Sequence, residues 1–212
     1  MNTLHFRNFQ KKDTQRLAEL AVDAWPIVSS LVPVDDIPKI MKAYLEINRI
    51  GSTWHEIATI NDRVVGFLFG KLEQDQQFID KIRAIIPNLY ILFKIIIGRY
   101  GRLSEPFIFL EKLFATEQKV LQYTPKAEGE IVLFVVDSEH RGKGIGKALL
   151  NRFLHRAKLV NAKMISVYTD PLSNWKFYER MGFERYGAFI DDLNTYINKV
   201  KTEGFIYITL VQ

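Results

Sequence analysis

The chain has 212 residues, 48% hydrophobic and 25% charged, with 29 Lys+Arg against 24 Asp+Glu and a net charge of +5. These values fit an ordinary globular domain with a sizeable core and exclude a disordered, collagen-like or low-complexity chain. With no cysteine, disulfide scaffolds, thiolate metal sites and cysteine nucleophiles are excluded as well. The mild basicity suits an anionic ligand, although no block of five like charges forms a polybasic tail. Met1 to Asp13 carries no apolar run of signal-peptide type. Ala84 to Ile97 is shorter than the roughly 20 apolar residues of a membrane span and contains Lys94. The expectation is a soluble, cytoplasmic, single domain over residues 1–212, with no membrane partner.

Leu4 to Arg7 reads as a first strand. Asp13 is placed to cap a helix whose apolar face is Leu17, Leu20, Ala21 and Ala24, with Pro26 at its end. Asp36 and Pro38 start a second helix through Ile40, Met41, Tyr44 and Ile47, and Gly51 follows it. Trp54 to Ile60 and Val64 to Gly70 read as strands joined by a hairpin at Asn61-Asp62-Arg63. The block from about 71 to 128 is rich in Ile, Leu, Phe and Tyr. Within it, Ile79 to Ile97 reads as helix interrupted or started by Pro87. Ser104 and Pro106 open a second helix there, with Phe107, Leu110, Phe114 and Leu121 on one side.

Glu130 to Val136 is apolar on both faces, as expected of a central strand. An amphipathic helix from Gly144 to Val160 follows, then a strand from Lys163 to Thr169. Ser173 to Met181 forms a short helix closed by Gly182. Phe183 to Phe189 and Phe205 to Val211 read as the last strands. The order β-α-α-β-β-insertion-β-α-β-α-β-β argues a mixed α/β sheet.

The segment Arg141-Gly142-Lys143-Gly144-Ile145-Gly146-Lys147 sets three glycines between a buried strand and a helix start. Glycines let backbone approach a ligand, and the helix N-terminus offers unpaired N–H groups at the positive end of its dipole. With Arg141, Lys143 and Lys147 this is an anion site of phosphate or pyrophosphate type; a tight turn without ligand is the alternative. The dinucleotide fingerprint fails at Lys147, and the P-loop pattern fails at Arg141 and Ala148.

The run instead resembles motif A of the GNAT superfamily of acetyl-CoA-dependent N-acetyltransferases, (Gln/Arg)-x-x-Gly-x-(Gly/Ala), filled by Arg141, Gly144 and Gly146. Asn174-Trp175-Lys176-Phe177-Tyr178-Glu179-Arg180-Met181-Gly182-Phe183 resembles the family's Asn-x-x-x-Tyr-x-x-x-Gly-Phe element, in the family's order and separation. The resemblance spans Gly129 to Phe189, extends plausibly over residues 1–70, and is absent from the insertion.

The resemblance implies a mostly antiparallel twisted sheet with a splayed central parallel pair, flanking helices and acetyl-CoA as co-substrate. It implies that backbone groups of Phe134 and Val136 meet the pantetheine arm, and that the N–H groups of residues 142 to 147, Ile145 included, hold the pyrophosphate. Asn174, Phe177 and Tyr178 would lie beside the cofactor, with the Tyr178 hydroxyl near the sulfur. A tyrosine of reference pKa about 10 can protonate a departing thiolate; a core aromatic with a satisfied hydroxyl is the alternative.

An amine acceptor must lose a proton, and Glu130 is the candidate base. On strict alternation it shares a pleat side with Val132, Phe134 and Val136. It also resembles the catalytic glutamate of the histone acetyltransferase branch, while a solvated strand-end glutamate is the alternative. His5, His55, His140 and His155 lack metal-ligand spacing, so no metal is expected, and His140 should face solvent. Arg152, Arg156 and Lys158 form a solvated helix face or meet the 3′-phosphate of coenzyme A.

The reading is acetyl transfer to the primary amine of a small molecule or peptide, by direct attack in a ternary complex. Another short acyl-CoA or nucleophile, or a non-catalytic acyl-CoA sensor, is the alternative. Nucleic-acid binding is not expected, for want of an aromatic–basic stripe or a helix-turn-helix pattern. The insertion is either a helical extension or homodimer interface, or a wall of the acceptor pocket.

Overall fold

The computed structural model describes residues 3–25, 33–75, 89–99 and 106–211. In chain order the elements are β1 (Leu4–Asn8), α1 (Thr14–Ala24), α2 (Ile37–Ile50), β2 (Trp54–Ile60), β3 (Arg63–Leu72), α3 (helical over 89–96), α4 (Pro106–Tyr123), β4 (Gly129–Val136), α5 (Ile145–Leu159), β5 (Met164–Thr169), α6 (Trp175–Arg180), β6 (Glu184–Ile190), α7 (Asp192–Asn198) and β7 (Glu203–Leu210). The strands form one sheet in the order β1-β2-β3-β4-β5-β7-β6, antiparallel throughout except for the parallel pair β4–β5. The element order implies the mixed sheet, and the family resemblance its mostly antiparallel strands and central parallel pair. No described helix is long and apolar enough to cross a membrane.

The β2–β3 hairpin turns on Asn61 and Asp62, at φ 48° and 62°, so that Ile60 pairs with Arg63. Two successive positive φ values match the right-handed twist of the strands, and Asn and Asp tolerate them better than other side chains. Asp13 does more than begin a helix. Its buried carboxylate makes no cap bond to α1; it receives the Arg7 guanidinium at 2.7 and 2.8 Å and the Gln10 N–H at 2.8 Å, tying β1 to the helix that follows.

Helices cover both faces of the sheet. On one face α1, α2 and α3 pack over Ile57, Val64, Phe67, Phe69, Leu133 and Val135, with Phe109 of α4 and Leu193 and Ile197 of α7 joining the same core. On the other, α5 lays Ile145, Leu149, Leu150 and Phe153 against Ala58, Val65, Leu68, Ile131, Ile165 and Val167, with Tyr178 of α6 alongside. Between Ile131 and Leu133 the β3–β4 register slips, leaving Val132 as a bulge. A bulge inserts one residue and reverses which face the next residues present. Ile131 accordingly faces α5, whereas Leu133 and Val135 face α1 and α2.

Several expectations change in the structure. Helix α7 has no counterpart in the sequence reading, because its seven residues, DLNTYIN, carry too little apolar periodicity to stand out. In α4, the side that carries Phe107, Phe114 and Leu121 is outward, the three being 73%, 56% and 69% exposed. That helix is apolar on several sides, and polar anchors choose its face: the Thr116 hydroxyl donates to Asp191 at 2.8 Å and Lys119 to the Ile190 carbonyl at 2.8 Å. The proposed Pro26 stop, Ser104 start and Pro87 interruption lie outside the described residues.

Phe153 of α5 lies directly on β3 at Gly70: a β-carbon there would come within 2.4 Å of its ring. Phe153 is fully buried and has no free direction in which to yield. Gly70→Ala is therefore expected to destabilise the fold by about 1–3 kcal/mol, the usual range for overpacking, with no change in the site chemistry. Chemical denaturation of the two proteins measures it.

Candidate active site

The central parallel pair joins over three residues only: Gly129 with Ile165, Glu130 with Ser166 and Ile131 with Val167. Beyond that point β4 runs on to Val136 paired to β3 alone, and β5 turns to β7. The result is a slot through the sheet. The Asp137 N–H donates to the Val65 carbonyl at 2.9 Å. Strand alternation then aims the N–H groups of Phe134 and Val136 the opposite way, into the slot. The Val136 carbonyl already accepts the Arg141 Nε at 3.2 Å, which folds the loop back over the strand end.

At the mouth of the slot stands the glycine turn. Gly142 and Gly144 have φ of 75° and 81°, and a β-carbon at either would touch nothing within 4 Å. Backbone conformation, not crowding, demands glycine there. Gly144 is the N-cap of α5, and the first bond of that helix runs from the Ala148 N–H to the Gly144 carbonyl at 2.9 Å. The N–H groups of Ile145, Gly146 and Lys147 consequently have no acceptor among the described residues, as at any uncapped helix start. Arg141, Lys143 and Lys147 are exposed around them. A β-carbon at Gly146 would lie 3.5–3.6 Å from Phe177, Phe134 and Val136, so the first turn of α5 closes on the Phe134–Phe177 edge contact, whose ring centroids are 5.5 Å apart.

Asp137 holds this turn in place. Its buried carboxylate accepts the Glu139 N–H at 3.1 Å and pairs with Arg16 of α1 at 2.6 Å. Sequence reasoning misses Arg16, which lies 121 positions away with no local motif to mark it. His140 is turned inward rather than toward solvent: its Nδ1 is buried, 3.6 Å from Asp137 and without a hydrogen-bond partner among the described residues. Asp137, Glu139 and His140 bring ligand atoms within 4.8 Å of one another, but Arg16 already neutralises the aspartate. Farther along α5, Arg152 pairs with Glu56 at 2.7 Å and Arg156 with Asp75 at 2.5 Å, tying the helix to the sheet side instead of forming a free face.

Helix α6 supplies the second motif. Asn174 is its N-cap rather than a helical residue, is exposed, and its side chain makes no cap bond. Tyr178 is buried among Phe177, Phe183 and Tyr207, with ring centroids 5.6, 5.6 and 6.3 Å away. Its hydroxyl has no hydrogen-bond partner among the described residues, and burial pushes its pKa up. Gly182, at φ 83°, ends the helix with the Phe183 N–H donating to the Tyr178 carbonyl at 3.0 Å, the Schellman pattern that the glycine implies.

The opposite face of the slot is acidic. Glu130 does not share a face with Phe134 and Val136, because the bulge at Val132 intervenes. Glu130 and Val132 lie on the α1–α2 face, and Phe134 and Val136 on the α5–α6 face. Burial raises the Glu130 carboxyl pKa, Lys71 opposing and Glu117 of α4 adding to the effect. Glu117, although exposed, is itself raised by desolvation from the surrounding protein and by Asp191. Tyr44 of α2, partly exposed, has its hydroxyl raised by desolvation and then by Glu117 and Asp170. Tyr168 of β5 donates to Asp191. None of Glu117, Tyr44, Tyr168 and Asp191 carries a sequence signal, since four separate elements bring them together.

A family model described as acetyltransferase (GNAT) family matches residues 14–183. Among curated proteins, none matches the sequence. Solved structures share the fold at low identity. Ard1 from Thermoplasma volcanium is 16% identical with a TM-score of 0.58, over 99% of this chain and 98% of that one. The ribosomal-protein-S18-alanine N-acetyltransferase from Escherichia coli is 12% identical with a TM-score of 0.55, over 99% and 95%. An aminoglycoside 6′-N-acetyltransferase complexed with coenzyme A is 15% identical with a TM-score of 0.55, over 98% and 97%. The glycine turn, the slot and the matched family model agree, and the chain belongs to the GNAT acetyltransferase family, whose members are acyltransferases that use acetyl-CoA.

Proposed function

We propose that this acyltransferase moves the acetyl group of acetyl-CoA to a primary amine by direct attack, with Tyr178 as general acid and Glu130 as base. One observation carries the reading: the slot between β4 and β5 has a cationic helix start on one face and an acidic rim on the other.

The residues present fit acetyl-CoA, which supplies a thioester with a good leaving group. Unpaired N–H groups of Ile145, Gly146 and Lys147, with Gly142, Lys143 and Gly144 before them and Arg141 beside them, would take the pyrophosphate. The slot-facing amides of Phe134 and Val136 would pair with the pantetheine arm in the manner of an added strand. Asn174 and Phe177 would border that arm.

Glu130 removes a proton from the acceptor. A lysine-like ammonium has a pKa near 10.4, and a carboxyl raised by burial is a stronger base than a solvated one, which narrows the gap for transfer directly or through water. Tyr178 works in the other direction. Its raised pKa keeps the hydroxyl protonated at neutral pH, and with no partner of its own it is free to donate to sulfur as the thiolate leaves. No cysteine is present to carry the acyl group through a thioester intermediate.

Tyr178→Phe keeps the ring packing and removes only the donor. Its kcat is expected to fall by at least about tenfold, within the usual range of general acid catalysis, while the KM for acetyl-CoA changes much less. Steady-state kinetics with a good acceptor decide it; a near-wild-type kcat limited by chemistry means that another group donates the proton.

Glu130→Gln tests the base through linkage. A carboxyl whose pKa is higher folded than unfolded stabilises the fold below its ordinary pKa, and that contribution is lost as pH rises through the folded value. At pH 7 the wild type therefore carries an unfavourable buried charge. The Gln variant should melt higher there and lose its advantage as pH falls toward the ordinary carboxylate range. Its pH–rate profile should lack the wild-type rise with pH. Melting curves and rates across pH check both.

A further inference from the structure

We infer that Arg16 of α1 is a positioning residue for the acyl carrier: it fixes and neutralises Asp137, the buried carboxylate on which the pyrophosphate-binding turn hangs. The inference rests on the proposed seat of the pyrophosphate in that turn and adds a residue to it.

Asp137 is the first residue beyond β4, and its side chain is 5% exposed. The carboxylate accepts the Glu139 N–H at 3.1 Å, and the Asp137 carbonyl accepts the His140 N–H at 2.9 Å, so residues 138–140 wind into one 3₁₀ turn. Carbonyls before and within this turn then hold the two loop cations. Arg141 Nε donates to the Val136 carbonyl at 3.2 Å, and Lys143 Nζ to the Glu139 carbonyl at 2.9 Å. Gly142 and Gly144 alternate with them, and α5 begins directly after. A displaced Asp137 would therefore carry both cations away from the helix start.

A buried carboxylate in the segment that seats an anion needs a counter-charge, or it opposes the ligand it helps to place. Among the described residues that counter-charge comes from Arg16, whose Nη2 lies 2.6 Å from Asp137 Oδ2. His140 Nδ1 stands 3.6 Å away, beyond hydrogen-bond reach. The Arg16 fork is itself held on three sides: its Nε donates to the Val64 carbonyl of β3 at 3.4 Å, and its Nη1 meets Glu19 of α1 at 3.3 Å. A planar guanidinium can span these partners at once, which an ammonium cannot. The backbone adds a second fastening, from the Asp137 N–H to the Val65 carbonyl at 2.9 Å. In this way the first helix sets both the place and the net charge of the entrance to the slot.

Calorimetry with coenzyme A and steady-state kinetics on the wild type, Arg16→Met, Arg16→Lys and the double variant Arg16→Met/Asp137→Asn test this. Arg16→Met should weaken coenzyme A binding at least tenfold and raise the KM for acetyl-CoA in step. Its kcat at saturation should stay within about twofold, because the reacting atoms are untouched. Arg16→Lys, which keeps the charge without the fork, should fall between the two. The double variant should regain most of the lost affinity, since asparagine removes the charge while its oxygen can still accept the Glu139 N–H. A merely structural Arg16 would leave the double variant as weak as Arg16→Met. Unchanged affinity in Arg16→Met, a loss that Asp137→Asn does not repair, or a fall confined to kcat overturns the inference. Should Arg16→Met fail to fold with its unpaired buried charge, the double variant decides: affinity within about threefold of the wild type supports the inference, and weaker binding overturns it. A wild type that binds no coenzyme A overturns the pyrophosphate seat and this inference together, whereas wild-type binding that Arg16→Met preserves overturns this inference alone.

Discussion

The separation of β4 from β5 after Ile131 and Val167 governs the rest of the molecule. Buried backbone polar groups need partners, and a strand that loses its neighbour in mid-sheet leaves a row of them open. Here that row is short, and Arg141 already covers its last carbonyl. Such an edge is a template for another extended chain, and an amide-bearing pantetheine arm has the matching chemistry. Around this opening the helices take up their positions: α5 begins at its mouth and α6 stands where β5 has turned away, with Phe134 and Phe177 meeting at its edge.

Charge follows the same geometry. On the α5–α6 face, the helix start and the exposed Arg141, Lys143 and Lys147 make a cationic entrance. On the α1–α2 face, Glu130 and Glu117 make an acidic one. An anionic acyl carrier and a cationic acceptor would thus approach from opposite sides and meet in the slot. The Val132 bulge is what permits this, because it lets the same strand place Glu130 on one face and Phe134 and Val136 on the other.

The glycine-turn side of the slot was legible in the sequence because its determinants are local. Gly142, Gly144 and Gly182 occupy positive-φ positions that only a few consecutive residues define, and Tyr178 keeps its place in a short helix beside them. The side bearing Glu130 was not. Glu130 could be named from its strand, but its face could not, since a bulge is fixed by pairing with β3 and leaves no mark on alternation. Glu117 sits in a helix whose apolar residues point several ways, and the bonds from Thr116 to Asp191 and from Lys119 to the Ile190 carbonyl set its orientation. Arg16, Tyr44 and Asp191 reach the site through contacts between elements far apart in the chain. The insertion makes the same point: α4 packs Phe109 into the core while leaving Phe107, Phe114 and Leu121 on its outer surface.

The central claim is that the open edge of β4 binds the acyl carrier through its backbone. Amide hydrogen exchange of Phe134 and Val136, with and without coenzyme A, tests it most directly, because a hydrogen-bonded N–H is protected only while its acceptor is in place. The account predicts marked slowing at these two amides and at Ile145 to Lys147 when coenzyme A is bound. Coenzyme A that binds while the Phe134 and Val136 amides exchange at their free rates would contradict it.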